Sequence, residues 1–256
     1  MLSSCKYAII VTEGVYDAYL LGAEAPENHN IAMFSHAGEI PEYLWECFTT
    51  NGRGRGCIAV YPAGGVDNVG NAAEKIANVV RGFIRFVPDK EVCLIAIVDS
   101  DNDKPFDRAR YYYEELQKAI QAITTSDGRD GEARPVQHGG KYFVSLCIRQ
   151  PDAPKVCVAS WKCSAECWIA LVVPRSPVTS VEYCDRDVRK RCHEVVEGEL
   201  PRNVREAGVT VVAEKVKHLI DNADPAWRAM LQELIAGIQD GSEDVDLDPS
   251  TARLDR

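Results

Sequence analysis

The segment that most constrains the fold is EVCLIAIV, residues 91–98, the most apolar strand-like run in the chain, which ends directly in Asp99, Asp101 and Asp103. An apolar run without polar alternation is typical of a strand that is buried on both faces of a sheet. Such sheets are built mainly from parallel strands that are joined by helices. The run therefore predicts a buried central strand that carries carboxylates at its carboxyl end.

The N-terminal half repeats this alternation of strand and helix, which predicts an α/β fold with a parallel sheet and helices on both faces. The less regular stretch between Pro26 and Gly56 holds a short strand and a helix. The predicted elements are a strand at 6–12, a helix at 15–24, a strand at 31–35, a helix at 41–48, a strand at 57–61, a helix at 67–86, the strand at 91–98 and a helix at 106–123.

The second half differs in composition, and we divide the chain into an α/β domain at 1–125, a region of extra strands and helices at 126–240, and an acidic tail at 241–256. The tail is predicted to be disordered because it is polar and charged. Within the middle region, residues 124–140 are predicted as a loop, 141–150 and 155–161 as strands that can form a hairpin, and 163–240 as mainly helical.

Two acidic groups follow buried strands and are candidates for one site. Glu13 comes directly after the first strand, and Asp99 directly after the strand at 91–98. Ligands of open α/β sheets bind beyond the carboxyl ends of the strands, so both groups are predicted to meet at that edge. Carboxylates suit Mg²⁺ or Mn²⁺, with Asp99, Asp101 and Asp103 as ligands, Asp17 as a further one, and Glu13 free to transfer a proton.

The two segments together resemble the motifs of the toprim domain. The first motif is matched by AIIVT followed by Glu13-Gly14 and by Asp17, and the second by IAIV followed by Asp99-x-Asp101. Toprim domains occur in bacterial-type primases, type IA and type II topoisomerases, recombination mediators and overcoming-lysogenization-defect nucleases. The resemblance covers about residues 6–125. It implies a Rossmann-like fold, Glu13 as general acid/base or metal contact, Asp99 and Asp101 as metal ligands, Gly14 at a tight turn, and Asp17 as an ordering residue.

The chain lacks a recognisable zinc-binding primase module, a topoisomerase tyrosine region and a Walker A sequence. The resemblance therefore implies a small stand-alone toprim protein, an enzyme that cleaves DNA or RNA with Mg²⁺ or Mn²⁺. One alternative is a glycosyltransferase in which Asp99-x-Asp101 holds Mn²⁺ and a nucleotide sugar, although this gives Glu13 no role. Another is a non-catalytic toprim-like fold that binds a partner.

Interpretations of the acidic segment that involve no metal site also stay open. Residues 99–103 are compatible with a solvated loop that caps the next helix. A calcium-binding EF-hand loop is excluded, because Lys104 stands where glycine is needed and Arg110 where the bidentate glutamate belongs.

The formal net charge of −10 argues against a protein that coats nucleic acid through a general positive field. It leaves room for an enzyme with a local basic patch. The loop with Arg53 and Arg55 is one candidate patch, and the run from Asp185 to His193 is another, although a basic run is usually a solvated helix face.

Ten cysteines without a CxxC pair argue against a structural zinc site. Several of them, including Cys57, Cys93, Cys147 and Cys157, lie in apolar runs and are interpreted as small buried hydrophobic residues, with disulfides as the alternative.

No apolar run is long enough to cross a bilayer, and the N-terminus does not resemble a secretion signal, so a cytoplasmic protein without a membrane partner is expected. A homodimer is possible through a helical stripe formed by Trp227, Met230, Leu231 and Leu234.

Overall fold

The computed structural model describes residues 5–23, 29–50, 56–87, 91–124, 134–139, 143–149, 155–200 and 209–222. Within them the strands are β1 (Tyr7–Thr12), β2 (His29–Met33), β3 (Gly56–Pro62), β4 (Val92–Asp99), β5 (Arg134–Gly139), β6 (Phe143–Arg149) and β7 (Lys155–Trp161). The α-helices are α1 (Val15–Ala23), α2 (Ile40–Thr50), α3 (Val69–Ile84), α4 (Pro105–Thr124), α5 (Ala165–Val172), α6 (Arg186–Glu199) and α7 (Val209–Asp221).

All seven strands form one sheet in the order β2-β3-β1-β4-β7-β6-β5. The first five strands in this order are parallel, and β6 and β5 are antiparallel to their neighbours. The predicted α/β class with a mostly parallel sheet is therefore confirmed. Because β7 pairs directly with β4, the strands after residue 125 continue the sheet that the first half begins.

Two hydrophobic cores lie on opposite faces of the sheet. The side chains of β1 enter the two cores alternately, since successive side chains of a strand point to opposite faces of the sheet. Tyr7, Ile9 and Val11 pack in the core that includes α2, α3 and α4. Ala8 and Ile10 pack in the core that includes α1, α5, α6 and α7. Helices on both faces, as predicted, bury every residue of β1 and β4.

The prediction of a loop over 124–140 is wrong where β5 forms. This strand lies at the edge of the sheet and pairs only with β6. An edge strand needs hydrogen bonds on one side alone, so it tolerates Pro135, which has no N–H to donate. The hairpin predicted from the next two segments is confirmed, because β6 and β7 pair antiparallel.

The cysteines are buried, as predicted, but the prediction that they are unpaired is wrong. Cys57, Cys93, Cys147 and Cys157 are each at most 1% exposed. All ten cysteines are oxidised, and the pairs are Cys5–Cys93, Cys47–Cys57, Cys147–Cys157, Cys163–Cys184 and Cys167–Cys192.

Among the described helices, none combines the length and the apolar character needed to cross a bilayer. The acidic tail at 241–256, the stripe from Trp227 to Leu234 and the loop with Arg53 and Arg55 lie outside the described residues.

Candidate active site at the carboxyl edge of the sheet

Glu13 joins the ends of three strands. Its backbone N–H donates to the carbonyl of Ile97 on β4 at 3.0 Å, and its carbonyl accepts from the N–H of Gly65, just after β3, at 2.9 Å. Its side-chain Oε2 accepts a hydrogen bond from the N–H of Asp99 at 3.1 Å, across a sequence separation of 86 residues. Glu13 and Asp99 therefore meet as their positions after parallel strands predict.

The turn that holds Glu13 depends on two glycines. Gly64 has a φ of 78° and Gly65 a φ of 135°, a region that side-chain-bearing residues rarely adopt. A residue with a Cβ at either position would be strained, and the Gly65 N–H would lose its place against the Glu13 carbonyl.

Burial raises the pKa of Glu13 to about 7. The hydrogen bond from the Asp99 N–H and the charge of Arg108 lower this pKa, whereas the carboxylate of Asp101 raises it further. Near neutral pH the side chain is thus divided between its protonated and ionised forms. A group in this condition can both accept and release a proton.

Asp99 is fixed by donors from two elements of the second half of the chain. Asp99 is buried, with 8% of its surface exposed. Its Oδ1 accepts from Trp161 Nε1 at 2.6 Å and from the N–H of Ala165 at 3.1 Å. The register of β4 and β7 sets Trp161 opposite Asp99, and Ala165 is the first residue of α5. Burial, followed by the charges of Asp17 and Glu13, raises the pKa of Asp99 well above its ordinary value.

Asp17 is a buried carboxyl group in the first turn of α1, with 1% exposure. Its Oδ2 accepts from the N–H of Gly14 at 2.9 Å, while its buried Oδ1 has no hydrogen-bond partner. Burial raises the pKa of Asp17, and the charges of Glu13 and Glu166 add to the effect. This hydrogen bond links Asp17 to the turn after β1.

Gly14 does not use the conformational freedom that its predicted role implies. The glycines with positive φ among the described residues are Gly64 and Gly65. A Cβ on Gly14 would meet Asp17 Oδ2 at 3.5 Å, an ordinary contact. The N–H of Gly14 is therefore what the site uses, and the residues that require glycine lie after β3.

Asp101 adopts a left-handed backbone, with a φ of 52°, and carries two cationic partners. Its Oδ1 accepts from Arg189 Nη1 at 2.7 Å, and its Oδ2 lies 3.6 Å from Arg108 Nη2. Its N–H donates to the Cys163 carbonyl at 3.3 Å. The predicted ligand is thus at the site, with its charge already compensated by arginines.

Asp103 was predicted as a metal ligand, but it is not among the residues that line the cavity. Its side chain is 59% exposed and lies 3.6 Å from Arg108 Nη1. In an extended strand the side chains of Asp101 and Asp103 would point to the same face. The left-handed backbone of Asp101 ends this alternation before Asp103.

The carboxylates line a cavity of about 580 Å³. We call Glu13, Asp17, Asp99 and Asp101 the acidic cluster. The same cavity is also lined by a face of α6 that we call the basic wall, formed by Arg186, Arg189, Lys190 and His193. These positions follow the spacing of a single helix face. Two disulfides hold this face at the cavity, since Cys192 of α6 bonds to Cys167 of α5, and Cys184 before α6 bonds to Cys163.

Several residues at the site were not identified from the sequence. Glu166, which the sequence could not place, lines the cavity and lies 3.5 Å from His193. Trp161 and Arg108 were missed, because nothing in their local sequence shows that they contact Asp99. The basic run from Asp185 to His193, interpreted from the sequence as a phosphate contact or as a solvated helix face, contains the four residues of the basic wall.

The donor set of the acidic cluster fits a hard divalent cation. Such ions prefer carboxylate oxygens, and the unpartnered Oδ1 of Asp17 is an acceptor that lacks its hydrogen bond. Burying several carboxylates together is unfavourable unless a proton or a cation compensates them. The described residues also bring the sulfurs of Cys163, Cys167 and Cys184 within 4.8 Å of one another, but these sulfurs are in disulfides and are not thiolate ligands.

Comparisons with known proteins give no match. No protein-family model matches the chain, and neither the curated proteins nor the solved structures show a significant similarity.

Proposed function

We propose that this chain is a metal-dependent phosphotransfer enzyme with a toprim-like site, a nuclease that cleaves phosphodiester bonds of DNA or RNA with Mg²⁺ or Mn²⁺. Glu13 is the general acid/base, and Asp99 and Asp101 hold the ion, with Asp17 beside them. The toprim assignment rests on the order of the motifs and on the meeting of Glu13 with Asp99 at the edge of a parallel sheet.

The observation that carries the proposal is the pairing of opposite charges across one cavity. The acidic cluster offers ligands for a cation, and the basic wall offers donors for an anion. A phosphodiester bound to a divalent cation presents both charges at once. An uncharged substrate would require neither the acidic cluster nor the basic wall. A substrate that carries phosphate and binds with a cation accounts for both features.

Glu13 has the pKa that proton transfer at neutral pH requires. In the proposed reaction the oxygen of a water molecule bonds to phosphorus while the bond from phosphorus to the leaving oxygen breaks. Glu13 accepts a proton from the water and then releases it to solvent, while the leaving oxygen, on the far side of phosphorus, takes up a proton from solvent, so that charges and atoms balance. The hydrogen bond from the Asp99 N–H holds one oxygen of this carboxylate in place. A bound divalent cation would stabilise the charge that develops on the phosphoryl oxygens.

The glycosyltransferase alternative receives less support, because Glu13 lies in the same cavity as Asp99 and Asp101 and has no role in it. A non-catalytic binding protein does not require a carboxyl group whose pKa is about 7. Both alternatives predict that the purified protein leaves nucleic acid intact, so a cleavage assay separates them from the nuclease.

The experiment incubates the purified chain with single-stranded DNA, double-stranded DNA and RNA, in Mg²⁺, Mn²⁺ or EDTA. Cleavage is expected with metal only. Glu13→Gln and Asp99→Asn remove one charge each while keeping an oxygen that can accept the observed hydrogen bonds. Each is expected to lower the rate by roughly 100-fold or more.

Glu74→Gln is the matched control, because Glu74 is exposed on α3, which packs in the core on the other face of the sheet. It should retain full activity. Cleavage that persists in Glu13→Gln and Asp99→Asn would overturn the assignment of the site. An inert wild-type protein that binds a nucleotide sugar would favour the glycosyltransferase.

A further inference from the structure

Arg189 is the residue of the basic wall that reaches the acidic cluster. Its Nη1 lies 2.7 Å from Asp101 Oδ1, and its side chain is 35% exposed. Its Nε is buried and has no hydrogen-bond partner among the described residues. The guanidinium thus neutralises a predicted metal ligand through one nitrogen and leaves another donor unused.

A divalent cation and Arg189 would compensate the same carboxylate. Asp101 Oδ1 accepts from Arg189, and its Oδ2 faces Arg108 at 3.6 Å, so a cation that binds Asp101 has to compete with an arginine for a carboxylate oxygen. Arg108 is held more firmly, since its Nε also donates to the Asp99 carbonyl at 3.1 Å. Arg189 is therefore the cation that is free to exchange partners.

The surroundings of Arg189 suit a phosphate. Arg186 and Lys190 flank it on the same helix face, so that three cationic side chains line this side of the cavity. Guanidinium groups bind phosphate through two parallel hydrogen bonds, which would use the Nε that now lacks a partner. His193 of the basic wall lies 3.5 Å from Glu166, which also lines the cavity.

We propose that Arg189 exchanges partners, binding Asp101 in the metal-free protein and a substrate phosphate once a divalent cation occupies the acidic cluster. This inference rests on the proposed function and names the residue that couples its two ligands. Metal and phosphate then bind cooperatively, because each relieves the charge that opposes the other, and the coupling is the same in both directions.

The test titrates Mn²⁺ alone into the full chain by calorimetry, and separately measures the binding of a fluorescein-labelled oligothymidylate by anisotropy with and without Mn²⁺. In the Glu13→Gln background the probe should stay intact during the measurement. Arg189→Gln is expected to change the two affinities in opposite directions. Mn²⁺ should bind roughly threefold to tenfold more tightly, and the probe in Mn²⁺ roughly tenfold more weakly.

The control is Arg191→Gln, which makes the same charge change on the same helix but at an exposed residue away from the cavity. It should leave the affinity for Mn²⁺ unchanged within about twofold. Weaker or unchanged Mn²⁺ binding in Arg189→Gln would overturn the exchange, as would unchanged probe binding. Failure of the wild-type protein to bind Mn²⁺, with or without the probe, would instead overturn the proposed function itself.

Discussion

At the scale of single residues, the site is defined by carboxyl groups that are held close together out of water. Glu13, Asp17 and Asp99 all have raised pKa values, and burial is the largest cause for each. The same burial that makes Glu13 useful for proton transfer makes the ionised cluster unfavourable. Stability and function therefore oppose each other here, and substitutions should reveal both.

The pKa of Glu13 predicts how stability changes with pH. Between its ordinary value of 4.5 and its folded value of about 7, the folded chain keeps a proton that the unfolded chain has lost. The free energy of unfolding should therefore fall as the pH rises through this window, by up to about 3 kcal/mol for this group. Glu13→Gln should lack this part of the decrease.

The measurement is urea denaturation of both proteins in EDTA at a series of pH values between about 4 and 8. Asp17 and Asp99 also titrate in the folded protein, so the informative quantity is the difference between the two curves. Parallel curves for wild type and Glu13→Gln would contradict a raised pKa at Glu13.

Asp99→Asn should stabilise the metal-free protein while removing its metal site. The variant keeps an Oδ1 that can accept from Trp161 and Ala165, and it removes the repulsion with Asp17 and Glu13. We expect a gain of about 1 kcal/mol in the free energy of unfolding in EDTA. Asp99→Ala should be less stable than Asp99→Asn by roughly 1–3 kcal/mol, because both donors lose their acceptor.

Chemical denaturation of the two variants beside wild type and Glu74→Gln measures these differences. If Asp99→Asn were destabilised as much as Asp99→Ala, the charge of Asp99 would not be the unfavourable element, and the hydrogen-bond account would need revision.

At the scale of elements, the position of α6 decides whether the site has a basic side. The helix is joined to α5 by Cys167–Cys192, and its N-terminal approach is joined to the end of β7 by Cys163–Cys184. These disulfides span 25 and 21 residues, and each is expected to contribute about 3 kcal/mol to stability. They also limit how far the basic wall can move from the acidic cluster.

Removal of Cys167–Cys192 should therefore weaken phosphate binding as well as stability. In the Glu13→Gln background, which keeps the probe intact, Cys167→Ala/Cys192→Ala is expected to bind the labelled oligothymidylate in Mn²⁺ roughly tenfold more weakly than the protein that retains both cysteines. Cys147→Ala/Cys157→Ala is the control, since that disulfide joins β6 to β7 away from the cavity. It should lower the melting temperature and leave probe binding intact, and equal losses in both variants would contradict the role given to α6.

At the scale of the whole molecule, the sequence predicts the part of the site that the sheet alone determines. Glu13 and Asp99 each follow an apolar run, and the geometry of parallel strands is enough to bring them together. The α/β class follows from the same alternation. The structure does not bring Asp103 to the cavity, and the left-handed turn at Asp101 that precedes it depends on a backbone angle that no residue pattern in the segment reveals.

The rest of the site depends on long-range pairing that local patterns do not encode. The register that sets Trp161 opposite Asp99 arises only after β7 joins β4. The basic face of α6 has the same spacing as a solvated helix, and the two disulfides that orient it follow no sequence motif. Strand β5 was missed because RPVQHG has no apolar alternation, and an edge position does not require one.

The central claim is that the acidic cluster binds a divalent cation at the carboxyl edge of the sheet. A calorimetric titration of Mn²⁺ into wild type, Asp99→Asn and Glu74→Gln, with and without oligothymidylate, tests this most directly. In the titrations with oligothymidylate each protein also carries Glu13→Gln, so that the oligonucleotide stays intact. We predict binding in wild type and in Glu74→Gln, strengthened by the oligonucleotide, and its loss in Asp99→Asn. Absence of Mn²⁺ binding in wild type under both conditions, or equal binding in Asp99→Asn, would contradict the claim.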